Sequence, residues 1–195
     1  MVSVIIVSYN QKKFIAKTID SVLDQSIDFE FEIIIVDDHS TDGTKEIISK
    51  YQKKNGAIIS VIESATNVGP YKNGLQGYKA AKGKYVTWID GDDYWDFKSK
   101  LQIQTDFLET NDDYIGCFHD ARIVYEKDES GKSTNQSQGE FKYYSQFNQY
   151  ISEFSPWHLI KRNLIPTASL LFRNGINLEN ASFINNGELS YISRQ

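Results

Sequence analysis

Four short apolar segments, rich in β-branched and aromatic residues, recur between residues 1 and 90 and constrain the fold most strongly. They occupy residues 2–7, 32–36, 57–62 and 85–89. Each segment is continuously apolar rather than alternating, which is typical of strands covered on both faces of a mainly parallel sheet. Segments with helical spacing of apolar residues lie between them. This order predicts an α/β fold with a Rossmann-like, mainly parallel sheet and helices on both faces.

Residues with known capping preferences indicate where the helices begin and end. Asn10 is a favoured N-cap residue and precedes the first amphipathic segment. Pro70 suits the first turn of a third helix, and Gly83 suits its end. Weaker patterns predict a helix over residues 96–108, strands over 114–125 and 167–172, and a polar loop over 126–140. No linker interrupts these segments, so residues 1–195 are predicted to form a single domain.

Polar residues follow each predicted strand at its carboxyl end. They are Ser8-Tyr9-Asn10, Asp37-Asp38-His39-Ser40, residues 63–67 and Asp90-Gly91-Asp92-Asp93. In an open α/β sheet, ligands bind outside the carboxyl ends of the strands. The acidic clusters are therefore predicted to lie at one edge of the sheet and to form a ligand site there.

The segment Asp90-Gly91-Asp92-Asp93 places three carboxylates within four residues. Such carboxylates repel one another unless a cation is bound, and Mg²⁺ or Mn²⁺ takes oxygen ligands while leaving positions for phosphate oxygens. Gly91 allows a turn in which the carboxylates converge and lets a ligand approach closely. The alternative is a solvated acidic turn that caps the following helix.

Asp37 and Asp38 directly follow the second predicted strand. One of these carboxylates can accept hydrogen bonds from a nucleobase or a ribose. The alternative role is an N-cap for the next helix. The two roles are compatible, because one aspartate can cap the helix while its neighbour faces the ligand.

Composition and missing motifs argue against several classes of protein. The net charge of −5 provides no general attraction for nucleic acid. The chain has neither a Gly-x-Gly-x-x-Gly motif nor a Gly-x-x-x-x-Gly-Lys-Ser/Thr phosphate loop, which argues against dinucleotide oxidoreductases and P-loop enzymes. No Cys/His spacing suits zinc, and the single cysteine, Cys117, favours a reducing compartment. No segment is apolar over the length of a membrane span, so a cytoplasmic protein is expected.

Residues 4–10, 35–44, 67–74 and 89–93 share their motifs, order and spacing with one protein family. They resemble the inverting glycosyltransferases of family two, which have the GT-A fold, and the likeness covers residues 1–110. A weaker likeness extends over residues 163–173. The resemblance implies a nucleotide-sugar-binding half over residues 1–110 and an acceptor-side half over 111–195. Family members continue further, so the acceptor-side half is expected to be shortened at its C-terminus.

The resemblance also implies roles for residues at the nucleobase end of the site. Tyr9 would pack on the nucleobase, while Val7 and Ser8 would line its edge through backbone groups. Asp38 would hydrogen-bond the base, with Asp37 close by.

Other matching residues are implied to bind the sugar and the diphosphate. Asp90 would lie near the ribose and the sugar, with Gly91 beside it in the donor site. Asp92 would ligate Mn²⁺ or Mg²⁺. Lys72 stands where many relatives have arginine, and it would pair with a phosphate as a point charge.

The catalytic base implied by the resemblance is Glu188, which would deprotonate the acceptor hydroxyl. The family's acidic motif usually ends in Glu-Asp, whereas Leu189 follows Glu188 here. The alternative is an exposed glutamate without a catalytic role.

The implied activity is transfer of a sugar, with inversion, from a nucleotide-sugar to a glycan or lipid-linked acceptor in surface polysaccharide biosynthesis. UDP is the expected donor nucleotide because it is frequent in the family. The expected enzyme resembles a hexosyltransferase. A lipid-linked acceptor is compatible with peripheral association at the inner face of the membrane. Two alternatives stay open: a nucleotidyltransferase-like enzyme, which the loop over residues 8–13 matches poorly, and a non-catalytic nucleotide-sugar-binding domain left inert by C-terminal truncation.

Overall fold

The computed structural model describes residues 1–124, 142–143 and 165–175 of the chain. Its strands are β1 (Val2–Ser8), β2 (Phe31–Asp37), β3 (Ile59–Glu63), β4 (Tyr85–Asp90), β5 (Gly116–Cys117), β6 (Arg122–Ile123), β7 (Lys142–Tyr143) and β8 (Leu171–Arg173). Its helices are α1 (Ile15–Leu23), α2 (Thr44–Lys54), α3 (Pro70–Ala80), α4 (Lys100–Thr110) and a 3-10 helix at Thr167–Ser169. Met1–Phe118 and Thr167–Ile176 form the first of two compact units. The antiparallel pair of β6 and β7 belongs to the second.

A six-stranded sheet in the order β3-β2-β1-β4-β8-β5 forms the centre of the first unit. β1 pairs in parallel with both β2 and β4, and β2 pairs in parallel with β3. β8 runs antiparallel to β4 and β5. The helices α1, α2 and α3 connect the parallel strands, since such strands need a crossover connection. The predicted α/β fold with a mainly parallel sheet is confirmed.

Helices cover both faces of this sheet. One face packs against α1, α2 and α4 through a core that includes Val4, Ile6, Ile33 and Ile35. The other face packs against α3 through Ile5, Val7, Ile34 and Val36. Consecutive residues of one strand thus enter opposite cores, which explains why the apolar segments are continuous. Gly77 lets α3 approach closely, because a Cβ at this position would lie 2.6 Å from Ile5 Cγ2.

Two predicted helix boundaries are wrong. α1 begins at Ile15, and Asn10 does not cap it. Instead, Asn10 Oδ1 accepts a hydrogen bond from the Thr41 N–H at 2.8 Å. Asn10 has a φ of 53°, a left-handed conformation that asparagine tolerates better than most residues, and it turns the chain after β1. α3 ends at Ala80 rather than at Gly83, whose N–H donates to a serine hydroxyl of β1.

The elements beyond residue 90 differ more from the prediction. α4 begins at Lys100, within the helix predicted over residues 96–108. The strand predicted over residues 114–125 is divided into β5 and β6, which belong to different sheets. The loop predicted over residues 126–140 lies outside the described residues. Among the helices that the structure describes, none is long and apolar enough to cross a membrane.

The strand predicted over residues 167–172 begins as a 3-10 helix. Here the carbonyl of Ala168 accepts a hydrogen bond from Trp95 Nε1 at 2.8 Å. The carbonyl of Ser169 accepts one from Gln104 Nε2 at 2.9 Å. The carbonyls of residues 168 and 169 are therefore bonded to side chains, and only residues 171–173 pair as a strand.

Candidate functional site

The carboxyl ends of β1, β2 and β4 lie side by side at one edge of the sheet. In the parallel registers, Ser8 pairs with Asp37 and Val7 pairs with Asp90. β3 ends beside β2, where Glu63 pairs with Asp37. The acidic segments therefore follow the two strands on either side of β1, and the loops that continue from β1, β2 and β4 form the candidate site.

The carboxylate of Asp37 is used inside the loop that follows β2. It is fully buried and accepts hydrogen bonds from the Ser40 N–H at 2.8 Å and the Ser40 hydroxyl at 2.6 Å. Lys45 Nζ lies 4.0 Å from it. A buried charge needs such partners, because an unpaired one is costly away from water. Asp37 therefore shapes this loop, and a direct role at a ligand stays a prediction.

Asp38 connects the end of β2 to the segment before α3. Its two carboxylate oxygens accept hydrogen bonds from the N–H groups of Val68 and Gly69, both at 2.8 Å. Asp38 is only 2% exposed. Each oxygen of a carboxylate has a second lone pair. Asp38 can therefore still accept a hydrogen bond from a ligand while it holds this segment in place.

The loop after β1 is tied to the loop after β2 by its backbone. The N–H of Asn10 donates to Ser40 Oγ, and the N–H of Gln11 donates to Thr44 Oγ1, both at 2.9 Å. Tyr9 lies in this loop and is 48% exposed. An exposed aromatic ring on a fixed backbone is suited to stacking on a planar ligand.

Asp42 adds a further connection between these loops. Its carboxylate accepts hydrogen bonds from the N–H groups of Lys12 and Thr44, both at 3.0 Å. The Thr44 hydroxyl also donates to it at 2.5 Å. Desolvation raises the pKa of Asp42, but the hydrogen bonds from Thr44 and Lys12 outweigh it and hold the pKa below its usual value.

Backbone carbonyls at the end of β1 hold the neighbouring loops. The Val7 carbonyl accepts a hydrogen bond from the Gly91 N–H, and the Ser8 carbonyl accepts one from the Asp38 N–H, each at 2.8 Å. The hydroxyl of Ser8 is buried and has no hydrogen-bond partner within the part of the chain that the structure describes. β1 thus connects the two acidic segments directly.

The turn after β4 packs tightly against the loop after β1. The N–H of Asp93 donates to the Asp90 carbonyl at 2.9 Å and closes the turn. Gly91 is buried, and a Cβ there would lie 2.1 Å from Gln11 Oε1. A larger residue at this position would require the Gln11 side chain to move. Asp92, between Gly91 and Asp93, is exposed.

In this turn, the negative charge of one carboxylate makes ionisation of another less favourable. Desolvation, and then the charge of Asp92, raises the pKa of Asp90. Desolvation, and then repulsion from Asp90 and Asp92, raises the pKa of Asp93 to about 6. A bound cation would relieve this repulsion.

The turn is suited to a metal ion that is coordinated partly by the protein and partly by a bound ligand. Within residues 1–124, 142–143 and 165–175, no group of three His, Cys, Asp or Glu side chains is placed to hold a metal ion. Mg²⁺ is usually bound by one or two carboxylates and completed by water and substrate phosphates, without a protein cage. The exposed Asp92, beside two carboxylates with raised pKa values, matches that second kind of site.

Two other predicted site residues occupy different positions. Lys72 is exposed on the first turn of α3, which begins at Pro70. The free N–H groups at a helix N-terminus attract anions, so Lys72 adds a positive charge to an end that is already favourable for phosphate. Glu188 lies outside the described residues, and its catalytic role stays a prediction.

One residue of α1 that was not predicted for the site, Thr18, also contacts the turn after β4. The Thr18 hydroxyl lies 2.9 Å from the Gly91 carbonyl and 2.6 Å from the Asp93 carbonyl. Ser21 and Gln25 follow Thr18 at helical spacing. A polar residue on a helix face that is otherwise apolar must find a hydrogen-bond partner elsewhere in the fold. The spacing of these polar residues was therefore the sequence signal that could have identified them.

The fold and its acidic edge define a GT-A type domain, and solved structures share that fold. Residues 1–349 of Staphylococcus aureus TarS, in complex with UDP, match with a TM-score of 0.61 and 27% identity, covering 92% of this chain and 48% of that chain. The mannosyltransferase PcManGT from Pyrobaculum calidifontis, in complex with GDP-Man and Mn²⁺, matches with a TM-score of 0.54 and 23% identity, covering 59% and 34%.

The model of the family described as Glycosyl transferase family 2 matches residues 3–174. The chain belongs to this family, and the resemblance seen in the sequence is confirmed. It is 43% identical over 108 residues to the putative teichuronic acid biosynthesis glycosyltransferase TuaG of Bacillus subtilis, covering 55% of this chain and 42% of TuaG. It is 33% identical over 171 residues to an uncharacterized protein of Mycobacterium tuberculosis, covering 88% and 46%. The chain spans less than half the length of these relatives.

Proposed function

We propose that this chain binds a nucleotide-sugar, a UDP-sugar, and transfers its sugar with inversion to a glycan or lipid-linked acceptor. The observation that carries this proposal is the placement of Asp38 and the Asp90–Asp93 turn on the two loops that flank β1 and are both hydrogen-bonded to it. Membership of the family supports sugar transfer as the reaction. Complexes of TarS with UDP and UDP-GlcNAc support a uridine diphosphate donor.

The nucleobase is assigned to the loops after β1 and β2. Tyr9 stacks on the base, and Asp38 accepts a hydrogen bond from a uracil N–H. Val7 and Ser8 line the edge of the base through backbone groups that also hold the neighbouring loops. Asp37 contributes through the loop that it fixes by its two hydrogen bonds to Ser40.

The ribose, sugar and diphosphate are assigned to the turn after β4 and to α3. Asp90 lies near the ribose and the sugar, and Gly91 allows their close approach. Asp92 holds Mn²⁺ or Mg²⁺, and Lys72 pairs with a phosphate. When bound, the metal stabilises the charge that develops on the leaving diphosphate.

The acceptor is assigned to the half that follows residue 110. Glu188 is the base that takes the proton of the acceptor hydroxyl as the sugar is transferred, and inversion follows from attack on the face opposite the diphosphate. The likeness to TuaG, a putative teichuronic acid biosynthesis glycosyltransferase, and to TarS, a poly(ribitol-phosphate) β-N-acetylglucosaminyltransferase, supports a role in surface polysaccharide biosynthesis. We place the reaction in the cytoplasm, at the inner face of the membrane when the acceptor is lipid-linked.

A second candidate function is a domain that binds a nucleotide-sugar without transferring the sugar. It is favoured by Leu189, which stands where the family's acidic motif has aspartate. Donor binding would be unchanged in that case, but neither hydrolysis nor transfer would follow.

Calorimetric titration with UDP, and with GDP for comparison, tests the proposal in Mn²⁺ and in excess chelator. We expect UDP to bind in a metal-dependent manner and GDP to bind more weakly. A panel of UDP-sugars then separates the two candidates, because only the enzyme releases UDP when an acceptor is supplied. Absence of binding by either nucleotide would overturn both.

A further inference from the structure

Three polar side chains of the α1 segment face the backbone that carries the acidic turn. Thr18 and Ser21 lie three residues apart on one face of α1, and Gln25 follows two residues after the helix ends at Leu23. Each bonds to the backbone of the segment over residues 91–101, at its beginning, middle and end. The segment over residues 91–101 is therefore attached at two points to α1 and at a third to Gln25, just beyond the end of α1.

Thr18 holds the beginning of this segment. Its hydroxyl lies 2.9 Å from the carbonyl oxygen of Gly91 and 2.6 Å from that of Asp93. A hydroxyl has one proton to donate, so these two carbonyls share it, while the Phe14 carbonyl lies further away at 3.5 Å. The Gly91 and Asp93 carbonyls belong to the residues on either side of Asp92. Thr18 is 1% exposed, so solvent cannot readily take its place.

Ser21 and Gln25 hold the rest of the segment. Ser21 Oγ accepts a hydrogen bond from the Trp95 N–H at 3.1 Å. Gln25 Nε2 donates to the Phe97 carbonyl at 3.0 Å, and Gln25 Oε1 accepts from the Leu101 N–H at 3.1 Å. The N-cap residue of α4 makes no side-chain hydrogen bond of its own, so Gln25 supplies a cap from outside that helix.

Asp92 has no comparable support of its own. It is exposed, and no hydrogen bond or ion pair of its side chain occurs among the residues that the structure describes. The direction of its carboxylate therefore follows from the backbone of the turn. That backbone is held on both sides of Asp92 by Thr18.

We propose that Thr18 is a positioning residue, which sets the direction of the Asp92 carboxylate toward the metal and the donor diphosphate. This inference rests on the proposed function, because it assigns Asp92 to the metal. Residues that orient a metal ligand without touching the metal change metal affinity by about 10- to 100-fold when they are lost. The bonds of Asp38 to Val68 and Gly69, at the nucleobase end, do not involve Thr18. Loss of the Thr18 hydroxyl is therefore expected to weaken binding of the metal more than binding of the nucleobase.

The test compares Thr18→Val, which removes the hydroxyl at constant shape, with Thr18→Ser, which retains it. Ser21→Ala is the matched control, because it removes a hydrogen bond to the same segment further from Asp92. Mn²⁺ is titrated by calorimetry into each protein at a fixed concentration of UDP. Thermal unfolding without metal reports on the fold of each variant.

We expect Thr18→Val to bind Mn²⁺ about 10-fold more weakly or worse, and Thr18→Ser and Ser21→Ala to stay close to the wild type. Wild-type affinity in Thr18→Val would overturn the inference, while the proposed function would stand. Equal losses in Thr18→Val and Ser21→Ala would also overturn it, since they would indicate general loosening of the segment. A wild type that binds no Mn²⁺ with UDP would instead overturn the proposed metal site and the inference with it.

Discussion

Gly91 lies so close to the side chain of Gln11 that a Cβ on Gly91 would be 2.1 Å from Gln11 Oε1. This contact joins the turn after β4 to the loop after β1. The turn after β4 carries the proposed metal ligand Asp92, and the loop after β1 carries the proposed stacking residue Tyr9. The two ends of the proposed donor site are thus packed against each other as well as bonded to the same strand.

Gly91→Ala is expected to destabilise the protein by about 1–3 kcal/mol, the usual cost of adding a methyl group to a tightly packed site. Urea denaturation measures the free energy of unfolding. The double substitution Gly91→Ala with Gln11→Ala removes the clashing side chain and should recover part of the loss. Wild-type stability in Gly91→Ala alone would contradict the packing described for this turn.

Asp92→Ala is expected to abolish metal-dependent binding of UDP and to leave the melting temperature unchanged. The carboxylate is exposed and makes no described hydrogen bond, so its removal costs the fold little. Calorimetry in Mn²⁺ measures the binding. Asp113→Ala removes another exposed aspartate at a distant position in the sequence and serves as the control. Unchanged UDP affinity in Asp92→Ala would remove this residue from the metal site.

Asp38→Ala is expected to weaken uridine binding even without metal, because its carboxylate is proposed to bind the base. It should also lower stability by roughly 1–3 kcal/mol, since the N–H groups of Val68 and Gly69 lose a buried acceptor. Binding of uridine and of other nucleosides is measured in chelator, and unfolding in urea. Equal affinity of the wild-type protein for all nucleosides would contradict base recognition by Asp38.

Lys100 is expected to make the stability depend on pH. The ammonium is buried, with Nζ 2.8 Å from Gln104 Oε1 and 4.1 Å from the centre of the Trp95 ring. Desolvation lowers the pKa of Lys100 to about 7, although the charge of Cys117 opposes this shift. Between about pH 7 and the ordinary pKa of 10.5, the unfolded chain therefore binds more protons than the folded one. Stability attributable to Lys100 rises with pH over this window.

Lys100→Met retains an unbranched side chain beside Trp95 and removes the titrating group. The free energy of unfolding in urea is compared for the two proteins at pH 7 and pH 9. We expect the wild type to gain stability relative to Lys100→Met as the pH rises. A constant difference between the two proteins would show that Lys100 does not titrate in this range.

Glu188→Gln is expected to preserve UDP-sugar binding and to remove transfer, since glutamine cannot accept the proton of the acceptor hydroxyl. Release of UDP in the presence of an acceptor measures transfer, and calorimetry measures donor binding. Glu46→Gln, at an exposed position on α2, is the control. Transfer that persists in Glu188→Gln would assign the base to another residue.

The sequence by itself determined the α/β class and the edge of the sheet at which the acidic residues gather. Continuous apolar segments require cover on both faces, and parallel strands bring their carboxyl ends to one edge. The parallel registers of β1 with β2 and β4 follow this expectation, with Ser8 beside Asp37 and Val7 beside Asp90. Both rules depend on local composition and chain direction, so a single sequence is sufficient to apply them.

Only the tertiary structure decided how the individual polar residues are used. Asp37 bonds within its own loop, whereas Asp38 bonds to residues 30 and 31 positions further along the chain. Thr18 bonds to carbonyls 73 and 75 positions away, and Asn10 bonds to Thr41 instead of capping α1. The sequence does not show which distant residue a polar side chain will bond, because the two partners meet only after the sheet and helices have packed.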